Sequence, residues 1–101
     1  MSYLQERKQA FKHALNGIAL LRKEAHFKIH FIIAIAISIL GYFAQLNPTQ
    51  WALQFSAIFV VFISEGINTS IEALSDAITT EYNFKIKIAK DIAAGVVLLA
   101  S

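Results

Sequence analysis

The chain has 101 residues, enough for one domain, and its 56% hydrophobic content and mean hydropathy of +0.55 are more typical of a membrane protein than of a small soluble one. It has no cysteine, which excludes disulfides and thiolate metal sites, and it contains no Walker A, GxGxxG or HEXXH motif. The net charge of +2 hides an asymmetry: the first 30 residues carry six Lys or Arg against two Glu, whereas the remaining 71 carry three Lys against five acids.

The first predicted element is an amphipathic helix over residues 3–24. Its apolar face is flanked by lysines and formed by Leu4, Phe11, Leu15 and Ile18. A basic helix beside so much apolar sequence favours an anionic membrane surface as its partner, and we expect no nucleic acid partner. The alternative is an ordinary helix packed on a soluble core.

Two membrane helices are predicted next, at about 27–46 and 51–78. No formal charge occurs between Ile29 and Ser64, which is the right length for a pair of short membrane helices. NPTQ at 47–50 supplies a turn, and Trp51 is expected at the membrane interface.

A polar connection at 79–90 leads to a third membrane helix at 90–101. Only ten apolar residues follow Asp91, about 15 Å of helix against a hydrocarbon layer of ~30 Å. The third helix is therefore expected to be truncated, and the chain to be a fragment of a slightly longer protein. The positive-inside rule predicts a cytoplasmic N-terminus, a cytoplasmic 79–90 segment and an external 47–50 turn.

The second predicted membrane helix carries an acidic stripe, formed by Glu65, Asn68, Glu72 and Asp76. At about 100° per residue these side chains fall within roughly 80° of helix circumference, opposite an isoleucine-rich face. Ionisable groups in a membrane helix indicate function, and these hard oxygen donors suit Mg²⁺. The alternative is a polar seam that joins helices through hydrogen bonds.

Four blocks of the sequence resemble the prokaryotic diacylglycerol kinase family, which includes undecaprenol kinase. EGINTSIEALSD (65–76) resembles its E-x-x-N-[ST]-x-I-E-x-x-x-D motif, and FKHALNGI (11–18) is similar to its F-K-x-A-x-x-G-I opening. KEAHFKIH (23–30) and KDIAAGVVLLA (90–100) resemble its E-x-N-x-x-I-H and K-D-x-A-A-x-x-V-L-x-A segments. The blocks keep their order and cover nearly the whole chain.

The resemblance implies an all-α integral membrane protein with a surface helix and three transmembrane helices. It implies a multi-pass homotrimer in the bacterial inner membrane, whose active site faces the cytoplasm and phosphorylates a lipid alcohol from ATP and Mg²⁺. Glu65 would be the catalytic base, Asn68 and Asp76 would support it, and Glu24 and Glu72 would bind the metal. The cofactor-binding residues would be His13, Glu24, Glu72, Glu81, Tyr82, Asn83, Lys90 and Asp91.

The sequence departs from the family pattern at three points. His26 replaces an asparagine, His13 replaces an aromatic residue, and Glu24 follows Gly17 by seven residues, one fewer than in the pattern. Two other classes of function stay open: a proton- or cation-coupled transporter that uses Glu65 and Glu72, and a non-catalytic helix-bundle subunit. The E-x-x-x-x-I-H segment favours undecaprenol over diacylglycerol as substrate.

Overall fold

The protein is all-α, as predicted. A computed structural model describes residues 2–101, which form four helices and no strand: α1 (Tyr3–Leu21), α2 (Ala25–Phe43), α3 (Pro48–Ile78) and α4 (Phe84–Ala100). The four helices lie at the four predicted places in the chain. Several of their ends differ from the predictions, and at the starts of α3 and α4 a capping side chain explains the difference.

The turn between α2 and α3 lies earlier than predicted, at residues 44–47. Asn47 is the N-cap of α3, where its side chain accepts from the backbone N–H of Gln50, and Pro48 occupies the first helical position. Gln45 has a positive φ of 58°, and Leu46 donates its N–H to the carbonyl of Gly41 at 3.3 Å. A residue in the left-handed conformation thus follows the end of α2, and α3 begins three residues after it.

Leu46 folds back on Gly41, which is one of the few buried positions. A Cβ at Gly41 would lie 2.8 Å from Leu46 Cδ1 and 3.1 Å from Trp51 Cη2. These distances are shorter than ordinary van der Waals contact, so glycine permits the close approach of the turn to α2. The α2–α3 hairpin is therefore tightest at this end.

Helix α4 is longer than predicted, because it begins at Phe84 rather than near residue 90. The side chain of Asn83 caps it by accepting from the backbone N–H groups of Lys85 and Ile86. Its 17 residues amount to about 26 Å of helix, but the added residues include Lys85 and Lys87, so the apolar part after Asp91 is no longer than predicted. Helix α1, in turn, ends at Leu21 and not at residue 24.

Helix α3 is the centre of the packing. It lies antiparallel to α2, with the rings of Phe27 and Phe62 4.7 Å apart, and it packs still more extensively against α4. The C-terminal end of α4 shares a cavity with α2 and α3 near Ala57, so α4 also runs antiparallel to α3. Helix α1 meets this arrangement at its end, where Leu21 approaches Gly66.

The described residues form almost no apolar core of their own. Ala93 is the only hydrophobic residue buried in residues 2–101, whereas bulky side chains such as Leu98 and Leu99 are largely exposed. Helices α2 and α3 are long and apolar enough to span a membrane, while α4 is not among the helices that meet this criterion. Such extensive apolar surface requires lipid or further protein around it.

Candidate functional site

Glu65 begins the acidic stripe, in the middle of α3. Its side chain is 5% exposed, and Oε1 is hydrogen-bonded to Nδ1 of His30 on α2. Its second oxygen, Oε2, is buried and has no hydrogen-bond partner among the described residues. A buried carboxylate oxygen without a partner is unusual, because desolvation of such a group is costly. One oxygen of Glu65 is therefore held and the other is available for a further donor.

The hairpin explains why His30 meets Glu65. Gly41 on α2 faces Gln54 on α3, whose Oε1 would lie 3.2 Å from a Cβ at Gly41. His30 and Glu65 each lie 11 residues further from the turn than this pair. Because both helices rise by about 1.5 Å per residue, His30 and Glu65 lie at the same level of the antiparallel pair. The pairing thus follows from the position of the turn together with the faces that the two helices present to each other.

Asn68 and Glu72 occupy the middle of the stripe, one and two turns beyond Glu65. Asn68 Nδ2 donates to Glu72 Oε1 at 3.3 Å, while Asn68 Oδ1 is buried and has no partner in residues 2–101. Glu72 is exposed, and no cation of the described chain pairs with it. The middle of the stripe consequently offers carboxylate and amide oxygens to a ligand from outside the chain.

Asp76 ends the stripe and contacts α4. Lys90 Nζ lies 2.7 Å from Asp76 Oδ1, which brings a predicted catalytic residue and a predicted nucleotide-binding residue together. Asp91, the neighbour of Lys90, instead pairs with Lys87 at 2.6 Å along the same helix. Lys90 and Asp91 therefore have different partners although they are adjacent in sequence.

Four of the predicted site residues are exposed and make no side-chain hydrogen bond or ion pair within the described chain. They are His13 on α1, Glu24 at the N-cap of α2, and Glu81 and Tyr82 in the turn before α4. Asn83 is engaged, since its side-chain oxygen caps α4. The single chain brings together the stripe, His30 and Lys90. It does not join His13 or the 81–82 turn to them.

The predicted metal ligands are Glu24 and Glu72, and the predicted metal is Mg²⁺. No cluster of three or more His, Asp or Glu side chains that could hold a metal occurs in residues 2–101, so the described chain forms no closed cage. Mg²⁺ commonly binds one or two carboxylates and completes its shell with water and substrate phosphates. Glu24 and Glu72 are exposed carboxylates, the ligand type that Mg²⁺ uses, and their joint binding of a metal stays a prediction.

The contact of His30 with Glu65 is a feature of the site that the sequence interpretation did not predict. His30 is the only histidine in the uncharged stretch that ends before Glu65. Pairing the two residues from the sequence would have required the alignment of α2 against α3, which depends on a turn that the predicted boundaries displaced by several residues.

Fold and site together define a small helical protein in which polar and acidic side chains line part of a helix of membrane-spanning length. This arrangement suits chemistry on an amphipathic substrate. The chain belongs to the prokaryotic diacylglycerol kinase family, whose family model matches residues 12–101. It is accordingly a lipid kinase, and this membership does not favour the transporter hypothesis.

Two relatives are similar along most of the chain. It is 38% identical to the undecaprenol kinase of Bacillus subtilis over 90 residues, which cover 88% of this chain and 73% of that protein. It is 31% identical to a diacylglycerol kinase of Synechocystis sp. over 94 residues, which cover 91% of this chain and 54% of that protein. Both relatives are named as lipid kinases, although for different lipids.

Proposed function

We propose that the protein phosphorylates a membrane lipid alcohol from ATP at the cytoplasmic face of the bacterial inner membrane, with Glu65 as the catalytic base. The observation that carries this proposal is the carboxylate of Glu65, buried at the centre of α3 with Oε2 free of any partner in the described chain. A general base must lie within hydrogen-bond reach of the proton it removes. A lipid hydroxyl entering from the apolar side would supply the donor that Oε2 lacks.

The reaction requires one proton transfer and one phosphoryl transfer. Glu65 Oε2 takes the proton of the lipid hydroxyl as that oxygen forms its bond to the γ-phosphorus of ATP. The bond from the γ-phosphorus to the bridging oxygen breaks, and ADP leaves with the electron pair. Glu65 then returns the proton to water, which completes the balance.

The exposed middle and end of the stripe suit the nucleotide. Glu72 and Glu24 would bind the Mg²⁺ that accompanies ATP, which when bound neutralises phosphate charge. Asn68 orients Glu72 through the hydrogen bond described above, and Asp76 orients Lys90 in the same way. Lys90 would donate to a phosphate oxygen.

Other nucleotide contacts would come from residues that are peripheral in the single chain. Glu81, Tyr82, Asn83 and Asp91 lie at or near the start of α4, on the side of the molecule where Asp76 ends the stripe. His13 lies on α1 and would contribute from there. A homotrimer would bring residues of neighbouring chains to one site, and the extensive exposed apolar surface supports such an assembly.

Undecaprenol is the substrate we favour. Similarity to the undecaprenol kinase is higher than similarity to the diacylglycerol kinase, at 38% against 31% identity. The reacting group is a hydroxyl in both lipids, so the base and metal ligands do not distinguish them. Discrimination between undecaprenol and diacylglycerol would therefore depend on contacts with the lipid tail.

The test is phosphoryl transfer from γ-³²P-labelled ATP to undecaprenol and to diacylglycerol in detergent micelles. The wild-type protein should label at least one lipid, and Glu65→Gln should lose about 10²- to 10⁴-fold in turnover while it retains ATP binding. Glu6→Gln, which removes an exposed acid from α1, is the matched control and should retain full activity. More than about a tenth of wild-type turnover in Glu65→Gln would refute the role of Glu65 as base.

A further inference from the structure

His30 and Glu65 form the only side-chain hydrogen bond or ion pair between α2 and α3 in the described chain. Apolar side chains lie close to the contact on both helices. One helical turn away on each helix, Phe27 and Phe62 bring their rings within 4.7 Å of each other. The imidazole is the one hydrogen-bond partner of the Glu65 side chain among residues 2–101.

In residues 2–101, no side chain other than His30 is hydrogen-bonded to the Glu65 carboxylate. The space beside His30 is a cavity of about 270 Å³, lined chiefly by aliphatic residues such as Ile33, Ala57 and Val61. A carboxylate in these surroundings needs a donor, because an ionised group buried without one is strongly disfavoured. The imidazole is the donor that the fold supplies.

We infer that His30 is a positioning residue for the kinase reaction, which holds Oε1 of Glu65 so that Oε2 faces the acceptor hydroxyl. This inference rests on the proposed function of Glu65. The two imidazole nitrogens have different positions: Nδ1 faces Glu65 Oε1 and must carry a hydrogen to donate to an ionised carboxylate, whereas no hydrogen bond joins Nε2 to Glu65. His30 does not contact the substrate, and it acts through the orientation of Glu65.

The use of Nδ1 provides a matched pair of substitutions. In His30→Asn the side-chain amide nitrogen lies close to the position of Nδ1, so a donor to Glu65 is retained. In His30→Gln the amide lies one bond further out, near the position of Nε2, where it is wrongly placed. His30→Leu removes the donor and keeps much of the volume. These three variants separate the hydrogen bond from the packing.

The experiment measures kcat, the KM for ATP and thermal unfolding of the full chain in detergent micelles with the lipid alcohol that the wild-type protein phosphorylates. His30→Leu and His30→Gln should lower kcat by about 10- to 100-fold, as expected for the loss of one hydrogen bond to a charged group. The KM for ATP should change less than about threefold, and His30→Asn should recover most of kcat. His26→Leu, at an exposed histidine one turn earlier on α2, is the control and should behave as wild type.

A second measurement does not depend on turnover. Nitrogen-15 chemical shifts of labelled histidine should identify the Nδ1–H form of His30 in the wild-type protein, and this signature should change in Glu65→Gln. A purely structural His30 would lower the unfolding temperature and raise the KM for ATP together in His30→Leu. That result, or equal kcat in His30→Asn and His30→Gln, would overturn the inference.

The outcomes for His30 and for the proposed function are distinguishable. If the wild-type protein is active and Glu65→Gln is inactive, but His30→Leu keeps full kcat, only the positioning role fails. If Glu65→Gln remains active, the base assignment fails, and the inference about His30 falls with it.

Discussion

Lys90 offers the sharpest test of how α4 contributes to the site. Its ammonium group is 2.7 Å from Asp76, and the two side chains are 36% and 61% exposed. Exposed ion pairs contribute about 0.2–1 kcal/mol, so a purely structural Lys90 has little effect when it is removed. A hydrogen bond from Lys90 to an ATP phosphate would contribute about 1.5–3 kcal/mol, which corresponds to roughly 10- to 150-fold in nucleotide affinity.

Lys90→Met should therefore raise the KM for ATP by roughly 10- to 150-fold while it lowers the free energy of unfolding by about 1 kcal/mol or less. Lys90→Arg, which keeps the charge, should lie between the wild-type protein and Lys90→Met. The assay is ³²P transfer to lipid at varied ATP concentration, together with chemical unfolding of each variant in detergent.

Lys87 is a matched control for Lys90. It lies on the same helix, carries the same side chain and pairs with Asp91 at 2.6 Å. Lys87→Met should lose an i,i+4 ion pair of about 0.3–0.5 kcal/mol and leave the KM for ATP within about threefold of the wild-type value. A similar rise of KM in both variants would refute a specific contact by Lys90 and indicate general attraction of the nucleotide by positive charge. An unchanged KM in Lys90→Met would limit Lys90 to joining α4 to α3.

Glu72→Gln should raise the Mg²⁺ concentration needed for half-maximal turnover by at least about 10-fold, and an unchanged Mg²⁺ dependence would contradict its role as ligand. Lys85→Cys should react with an impermeant thiol reagent only after the inner membrane is permeabilised, whereas Thr49→Cys should react in intact cells; the opposite pattern would reverse the proposed orientation. Gly41→Leu should lower the free energy of unfolding in detergent by about 1–3 kcal/mol because Leu46 and Trp51 already fill the space, and the same change at the open position Gly17 should cost less. Equal losses at the two glycines would argue against tight packing at the α2–α3 turn.

The helices were predictable because their signals are local. Hydrophobic runs, the Asn47–Pro48 break and the spacing of the acids are all contained in short windows of sequence. The start of α4 was misjudged for a related reason. Charged residues after Asn83 were interpreted as a connection, whereas the Asn83 cap begins a helix that carries those charges on its exposed surface.

The pairings between helices were harder to predict, because they depend on how two elements align. The acid at position 65 was identified as functional from its place in an apolar helix, but its partner required the exact level of α2 beside α3. Lys90 and Asp76 were both identified as site residues, yet nothing local indicates that they contact each other across α3 and α4. The joint binding of metal by Glu24 and Glu72 stays a prediction, since the exposed Glu24 side chain has no partner in the described chain.

The two end residues of the acidic stripe have partners on neighbouring helices, whereas Glu72 in the middle does not. Helix α2 holds Glu65 through an imidazole, and α4 holds Asp76 through a lysine, while Glu72 between them is exposed. Glu65 and Glu72 are two turns apart, about 10 Å along the axis. Under the proposed function, the transferred phosphoryl group must occupy that interval, with the acceptor hydroxyl at Glu65 and the nucleotide phosphates beside Glu72. Asn68 lies midway and has a buried oxygen without a partner, so it is the residue best placed to contact whatever fills the gap. The two neighbouring helices thus hold the ends of the stripe in place and leave the reacting groups to enter between them.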